Sequence, residues 1–187
     1  MIETRGIAYV DHLATTPVPE EIVEVMKPYF TEKFGNPTSL HKLGVEAKKA
    51  MNKAREQVAE LLNVGKPEEI VFTSGAIEAN NLAIKGFAKA PGITRRGKHI
   101  VVSSIEHHSI LHSCKTLEKE GFEITYVKPD EYGIISPEKL AEAVREDTIL
   151  VSVGLQTGKL EQFKICLHLL QLQRKNPRVV FHSDIAP

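Results

Sequence analysis

The sequence has no excess of charge of one sign, no long apolar run and few cysteines, and each of these absences excludes a class of protein. Lysine plus arginine and aspartate plus glutamate both number 24 among the 187 residues, so no basic surface indicates nucleic acid or an anionic membrane as a partner. No apolar run approaches the roughly 20 residues of a membrane-spanning helix. Residues 1–5 also lack a signal-peptide pattern. We therefore expect neither a nucleic-acid nor a membrane partner.

The two cysteines, Cys114 and Cys166, lack C-x-x-C spacing and favour a reducing cytoplasm over a disulfide framework or a cysteine metal site. His108 and His112 have the i, i+4 spacing of a metal pair, but no third ligand is evident, so we predict no metal site. No G-x-G-x-x-G motif follows a strand pattern, which disfavours a Rossmann-type nucleotide binder.

Strand and helix patterns alternate along most of the chain. A short strand running into an irregular arm is predicted at 7–18, and helices at 19–33 and 43–63. Further strands are predicted at 69–73, 99–102, 122–126, 148–153 and 178–183. Further helices are predicted at 76–90, 108–120, 137–146 and near 162–175. This rhythm predicts an α/β fold with a largely parallel sheet and helices on both faces.

The first candidate group lies at the Ser74–Gly75 turn, after the predicted strand 69–73. In parallel sheets, ligands bind beyond the carboxyl ends of the strands. A strand that leads through a glycine turn into a helix directs free backbone N–H groups at one point, which suits a phosphate. A glycine that only turns the chain explains the same residues equally well.

Two further strand ends carry candidate side chains. His107 follows the strand at 99–102, where an imidazole can stack on a planar cofactor or move a proton. It can equally be a histidine at the start of a helix. Asp184 ends the last strand, where a carboxylate can pair with a protonated ring nitrogen. Taken alone, it is more simply the N-cap of a following helix.

Five motifs together resemble the cysteine desulfurases of the class V aminotransferase family, which are pyridoxal-phosphate enzymes of fold type I. They occur in the family's order and cover nearly the whole chain: Ala14-Thr15-Thr16-Pro17, Phe34–His41, Phe72–Ala76, Glu78–Ile84 and Phe181–Asp184. The resemblance implies the amino-terminal portion of such an enzyme. Residues 1–40 would form an arm and helix, and residues 41–187 an incomplete large cofactor-binding domain.

The resemblance also implies roles for individual residues. Gly75, Ala76 and the backbone at Ile77 should meet the cofactor phosphate. His107 should stack on the pyridine ring and act as an acid–base group, and Asp184 should pair with the ring nitrogen. In the family, L-cysteine bound to pyridoxal phosphate gives its sulfur to an enzyme cysteine and leaves as L-alanine. Family members are homodimers, and a sulfur-acceptor protein is a further expected partner.

The chain departs from the family pattern at several positions. Ile77 stands where the family usually has threonine, and Pro187 where it usually has glutamine. The family's Schiff-base lysine and its sulfur-accepting cysteine loop lie beyond the matched region, and no lysine in residues 1–187 matches the lysine motif. These departures keep an alternative open. The chain would then be an inactive, truncated or frameshifted remnant that at most binds a partner.

Residues 158–174 depart furthest, because the family shows a sequence like N-N-E-I-G-T-I-Q in this region. With suitable codons, a one-base shift turns the segment into E-I-G-T-I-Q followed by a plausible helix. We therefore hypothesise a deletion near Gly158 that an insertion near Lys175 compensates. The alternative is true divergence, since the segment still forms an apolar helix face through Ile165, Leu169 and Leu172.

Overall fold

The computed structural model describes residues 3–4, 7–12, 14–154 and 176–186. The chain divides into two compact units, Met1–Phe72 and Thr73–Pro187. The predicted division at residue 40 stays a prediction. The predicted helix near 162–175, the diverged segment 158–174 and Pro187 lie outside the described residues.

The first unit contains a short hairpin and two helices. Strands β1 (Glu3–Thr4) and β2 (Ile7–Ala8) pair antiparallel, so the strand predicted at 7–18 is limited to two residues. Helices α1 (Glu20–Thr31) and α2 (Lys42–Leu61) confirm the two predicted helices. A side chain at Gly44 would collide with the backbone of the preceding loop, so glycine lets that loop pack on the first turn of α2.

The strand predicted at 69–73 is wrong. Pro67–Glu69 form a single 3₁₀ turn, and residues 70–73 have no regular structure. A β-branched apolar run becomes a strand only when a neighbouring strand accepts its ladder hydrogen bonds, and none of the described strands pairs with it. The Ile70 carbonyl instead accepts a hydrogen bond from Arg55 Nε at 3.1 Å.

The second unit is built on a four-stranded parallel sheet. Its strands are β3 (His99–Ser103), β4 (Glu123–Val127), β5 (Thr148–Ser152) and β6 (Val180–His182). The spatial order is β4-β3-β5-β6, and every neighbouring pair is parallel. The sheet confirms the predicted fold class and places all four carboxyl ends at one edge.

Helices cover both faces of this sheet because the crossovers run in opposite directions. Helix α4 (His108–Lys119) connects β3 to β4, whereas α5 (Pro137–Ala143) returns the chain past β3 to β5. Right-handed crossovers in opposite directions place the two helices on opposite faces. On one face, Ile100 and Val102 pack with Leu117 of α4. On the other, Val101 packs with Leu140 of α5.

The helix termini follow their sequence signals. Helix α3 (Ala76–Asn81) continues into a π-helical turn, Leu82–Gly86, within the predicted span 76–90. Gly121 follows α4 and has φ +87°. A residue that ends a helix in this left-handed conformation is usually glycine. Ser136 Oγ accepts a hydrogen bond from Lys139 N at 3.3 Å and caps α5. Among the described residues, no helix is both long and apolar enough to cross a membrane.

The amino-terminal edge of the sheet contains a buried histidine. His99 Nδ1 lies 2.7 Å from Thr148 Oγ1, and its Nε2 lies 2.8 Å from Thr125 Oγ1, so the ring ties β3 to both neighbouring strands. Burial lowers the pKa of His99, and the nearby guanidinium of Arg145 lowers it further. The ring is therefore neutral in the folded protein near neutral pH.

Candidate cofactor site

The strand order changes direction between β3 and β5, and the carboxyl edge at this point is where open α/β sheets bind ligands. His107 lies just beyond β3, Gly154 just beyond β5 and Asp184 just beyond β6. The topology therefore brings the two predicted side chains, His107 and Asp184, to the same edge.

A partly buried carboxylate joins the ends of β3 and β5 at this edge. Glu106 Oε1 accepts a hydrogen bond from Gly154 N at 2.7 Å. A Cβ on residue 154 would lie 2.8 Å from Glu106 Oε2, so glycine permits the contact. Burial raises the pKa of Glu106, against the opposing effect of the Gly154 N–H.

Hydrogen bonds also join β5 to β6. Ser152 Oγ lies 2.9 Å from His182 Nδ1, and Ser183 Oγ donates to the Val153 carbonyl at 2.7 Å. Burial lowers the pKa of His182, and the neighbouring Asp184 carboxylate opposes this. These contacts fix the chain segment that carries Asp184.

A continuous chain of hydrogen bonds connects Asp184 to His107. Asn80 Nδ2 donates to Asp184 Oδ2 at 2.8 Å and to Ser109 Oγ at 2.9 Å. Ser109 Oγ lies 2.8 Å from His107 Nδ1, and Ser109 N donates to the same nitrogen at 3.2 Å. Two residues predicted from separate strand ends therefore belong to one network, which passes through α3 and α4.

The glycine turn begins helix α3, which also carries Asn80. Glu78 Oε2 accepts hydrogen bonds from Ser74 N at 2.7 Å and Ser74 Oγ at 2.6 Å, and these lower the pKa of Glu78. Gly75 occupies the cap position and has no side chain to bond the first N–H groups of the helix.

The three residues predicted to meet a phosphate are exposed. A Cβ added to Gly75 would meet no atom within 4 Å, and the side chain of Ile77 is 64% exposed. Gly75 is extended, with φ 163°, so its conformation does not itself require glycine. The contact of Gly75, Ala76 and Ile77 with a phosphate stays a prediction.

Sequence reasoning missed Asn80 and Ser109 as site residues, and it placed Glu106 at the ligand edge without assigning it a role. Asn80 occupies the inward position of a stripe with four-residue spacing that continues through Ile84 and Ala88, and all three are buried. An amide on an otherwise apolar stripe is the signal that could have identified it.

The histidine pair at the start of α4 has no third candidate ligand among the described residues. The ring centroids of His108 and His112 are 5.6 Å apart. Across the part of the chain that the structure describes, no group of three or more histidine, cysteine, aspartate or glutamate residues could hold a metal ion.

Comparison with known protein families shows the family of this chain. The profile of the family described as Aminotransferase class-V matches residues 8–186. The chain belongs to this family. Its members are pyridoxal-phosphate enzymes, and the resemblance predicted from the five motifs is confirmed.

The curated relatives are cysteine desulfurases. The chain is 45% identical over 176 residues to cysteine desulfurase IscS of Methanosarcina thermophila, covering 94% of this chain and 43% of that protein. It is 50% identical over 179 residues to cysteine desulfurase IscS 1 of Archaeoglobus fulgidus, covering 94% and 45%. The chain thus spans less than half the length of these relatives.

Solved structures show the same fold. A NifS-like protein superposes with a TM-score of 0.81 at 36% identity, covering 92% of this chain and 47% of that one. The structure of SspA in complex with cysteine superposes with a TM-score of 0.77 at 37% identity, covering 94% and 49%.

The donor set at the carboxyl edge fits pyridoxal phosphate. A ring nitrogen needs a carboxylate, a ring face suits an imidazole and a phosphate needs backbone N–H groups. Asp184 and His107 would provide the first two, and both belong to one network. The uncapped first turn of α3, beside the open space at Gly75, would provide the third.

Proposed function

We propose that the chain is the amino-terminal part of a pyridoxal-phosphate-dependent cysteine desulfurase that acts on L-cysteine and releases L-alanine. The supporting observation is the hydrogen-bonded network that joins Asp184 to His107 at the carboxyl edge of the sheet. Pyridoxal phosphate, when bound, supplies an electron sink for bond cleavage at the amino acid.

Each residue of the proposed site has a defined task. The Asp184 carboxylate accepts a hydrogen bond from the protonated ring nitrogen and so keeps the ring electron-poor. His107 lies against the ring face and holds or moves a proton at Nε2, because its Nδ1 is occupied by Ser109. The backbone N–H groups at Gly75, Ala76 and Ile77 bind the phosphate.

The proposed enzyme also needs a Schiff-base lysine and a sulfur-accepting cysteine, and neither belongs to the site described above. Burial raises the pKa of Cys114 to about 12, so its thiol is a poor nucleophile and unsuited to accept sulfur. We assign the Schiff-base lysine and the sulfur-accepting cysteine to the part of the relatives that this chain does not match. We further propose a homodimer in the reducing cytoplasm that passes sulfur to an acceptor protein.

The alternative is a non-catalytic remnant that at most binds a partner. One observation favours it: Val71 and Phe72 are 63% and 48% exposed, and their apolar run forms no strand. A remnant would not bind the cofactor at the predicted edge, so cofactor binding separates the two proposals.

The proposal predicts saturable binding of 4-deoxypyridoxine 5′-phosphate to this chain. This ligand keeps the ring nitrogen and the phosphate but lacks the aldehyde, so it cannot react with surface lysines. By titration calorimetry, Asp184→Ala and His107→Ala should each weaken binding about tenfold, because each removes one contact to the ring.

Glu142→Ala is the matched control, since it removes one exposed carboxylate from α5 on the opposite face of the sheet. It should leave the affinity unchanged. Absence of saturable binding, or equal affinities of the wild type and Asp184→Ala, would contradict the proposed site and favour the remnant.

A further inference from the structure

The only buried residue of α3 is an amide. Asn80 is 3% exposed, whereas the other five residues of that helix are exposed or partly exposed. Burying an amide costs free energy unless its polar atoms are hydrogen-bonded. Both hydrogens of Asn80 Nδ2 are used, one on Asp184 and one on Ser109. The cost of the buried amide is offset by contacts to the candidate site.

The direction of these hydrogen bonds follows from the chemistry of each group. An amide NH₂ only donates, so Asp184 Oδ2 and Ser109 Oγ both accept from Asn80. The reverse orientation would place the Asn80 carbonyl oxygen against the Asp184 carboxylate, which repels it. The serine hydroxyl keeps its own hydrogen, and because the Ser109 backbone N–H already donates to His107 Nδ1, the hydroxyl donates to that nitrogen as well.

The two Ser109 donors determine the protonation of the His107 ring. Nδ1 accepts from the Ser109 hydroxyl at 2.8 Å and faces the Ser109 backbone N–H at 3.2 Å. A nitrogen that accepts carries no hydrogen, so a neutral His107 ring has its proton on Nε2.

We propose that Asn80 and Ser109 are positioning residues of the cofactor site. Asn80 holds the Asp184 carboxylate in a fixed relation to α4, and through Ser109 it holds His107 as the Nε2–H tautomer before any ligand arrives. The inference rests on the proposed roles of Asp184 and His107 at pyridoxal phosphate. It adds two residues whose effect on the ligand is exerted only through other side chains.

A neighbouring amide supplies a matched control. Asn81 also lies on α3 and also contacts α4, because its Oδ1 accepts from Ser113 Oγ at 3.2 Å. Its Nδ2 donates to the Ile77 carbonyl at 2.8 Å, and it has no contact with Asp184, Ser109 or His107 among the described hydrogen bonds. Asn81→Ala therefore removes an amide and a helix–helix contact without breaking the network.

The first test uses the ligand-free full chain and ¹⁵N NMR of the histidine rings, with His107 assigned from a His107→Gln variant. We expect the Nε2–H tautomer in the wild type and in Asn81→Ala. Asn80→Ala should raise the fraction of the Nδ1–H tautomer, because Ser109 Oγ then loses the donor that competes with Nδ1–H. The Ser109 backbone N–H still donates to Nδ1 and keeps Nε2–H in the majority. A mixed or Nδ1–H ring in the wild type, or an unchanged tautomer fraction in Asn80→Ala, overturns the inference. The wild-type spectrum decides alone if Asn80→Ala does not fold.

The second test measures the affinity for 4-deoxypyridoxine 5′-phosphate. We expect a loss of about tenfold in Asn80→Ala and less than about twofold in Asn81→Ala. Equal losses in the two variants overturn the positioning role and leave the proposed function intact. If the wild type does not bind, the proposed function fails, and the tautomer measurement still decides whether Asn80 and Ser109 orient His107.

Discussion

At the scale of single residues, the candidate site is defined by polar side chains that are buried or that span two elements. Glu106 joins the ends of β3 and β5, and Asn80 joins α3 to Asp184. Each of these contacts spans more than 45 positions in the sequence, so no local pattern contains both partners. The residues that touch the proposed ligand were predictable from motifs, whereas the residues that orient them depend on the packed fold.

Replacement of Ile77 by threonine should strengthen binding of the phosphate. The side chain of Ile77 is exposed at the first turn of α3, and a hydroxyl there adds a hydrogen bond to a charged group. Such a bond contributes about 1–2 kcal/mol, or roughly a 5- to 30-fold gain in affinity. Titration calorimetry with 4-deoxypyridoxine 5′-phosphate measures the gain.

The matched control for this change is Ile77→Val, which has nearly the same shape as threonine but no hydroxyl. An equal gain in Ile77→Val would show that side-chain size, rather than the hydrogen bond, limits binding. No gain in either variant would count against a phosphate at Ile77.

At the scale of elements, the sequence patterns predict the described helices and the strands of the parallel sheet. They also predict a strand at 69–73 that does not form. The apolar face of α4 repeats through Ile110, Cys114 and Leu117, all fully buried, and a helical repeat depends only on local sequence. Residues 69–73 have the same β-branched character as β3 but no described strand beside them. Strand formation depends on a partner distant in sequence, which a local pattern does not contain.

Truncation of Leu117 tests the packing of α4 on the sheet. Leu117 is fully buried against Ile100 and Val102, so Leu117→Ala should lower the free energy of unfolding by about 2–5 kcal/mol. Lys115→Ala, on the exposed side of the same helix, should change it by less than about 0.5 kcal/mol. Urea denaturation gives both values, and equal effects would contradict the assigned face of α4.

At the scale of the whole molecule, the buried His99 and the partly buried His182 make the stability depend on pH. Burial lowers the pKa of both His99 and His182 in the folded chain. An unfolded histidine takes up its proton near pH 6.5, whereas the folded rings take it up at lower pH. Their contribution is therefore fully present above about pH 6.5 and is lost as pH falls through the lower folded values. The raised pKa of Glu106 acts in the opposite direction.

We expect the free energy of unfolding to depend less on pH in His99→Gln than in the wild type between about pH 5 and 7. His112→Gln, which changes an exposed histidine on α4, should keep the wild-type dependence. Urea denaturation at a series of pH values measures this. The same pH dependence in the wild type and in His99→Gln would show that His99 is not held neutral by the fold.

The central claim is that Asp184 pairs with the ring nitrogen of a pyridoxal-phosphate-type ligand at the carboxyl edge of the sheet. The most direct measurement is the ¹⁵N chemical shift of ring-labelled 4-deoxypyridoxine 5′-phosphate bound to the wild type and to Asp184→Ala. The account predicts a protonated ring nitrogen in the wild-type complex above the pH at which the free ligand loses that proton, and loss of this protonation in Asp184→Ala. The same ring-nitrogen shift in both complexes would contradict the claim.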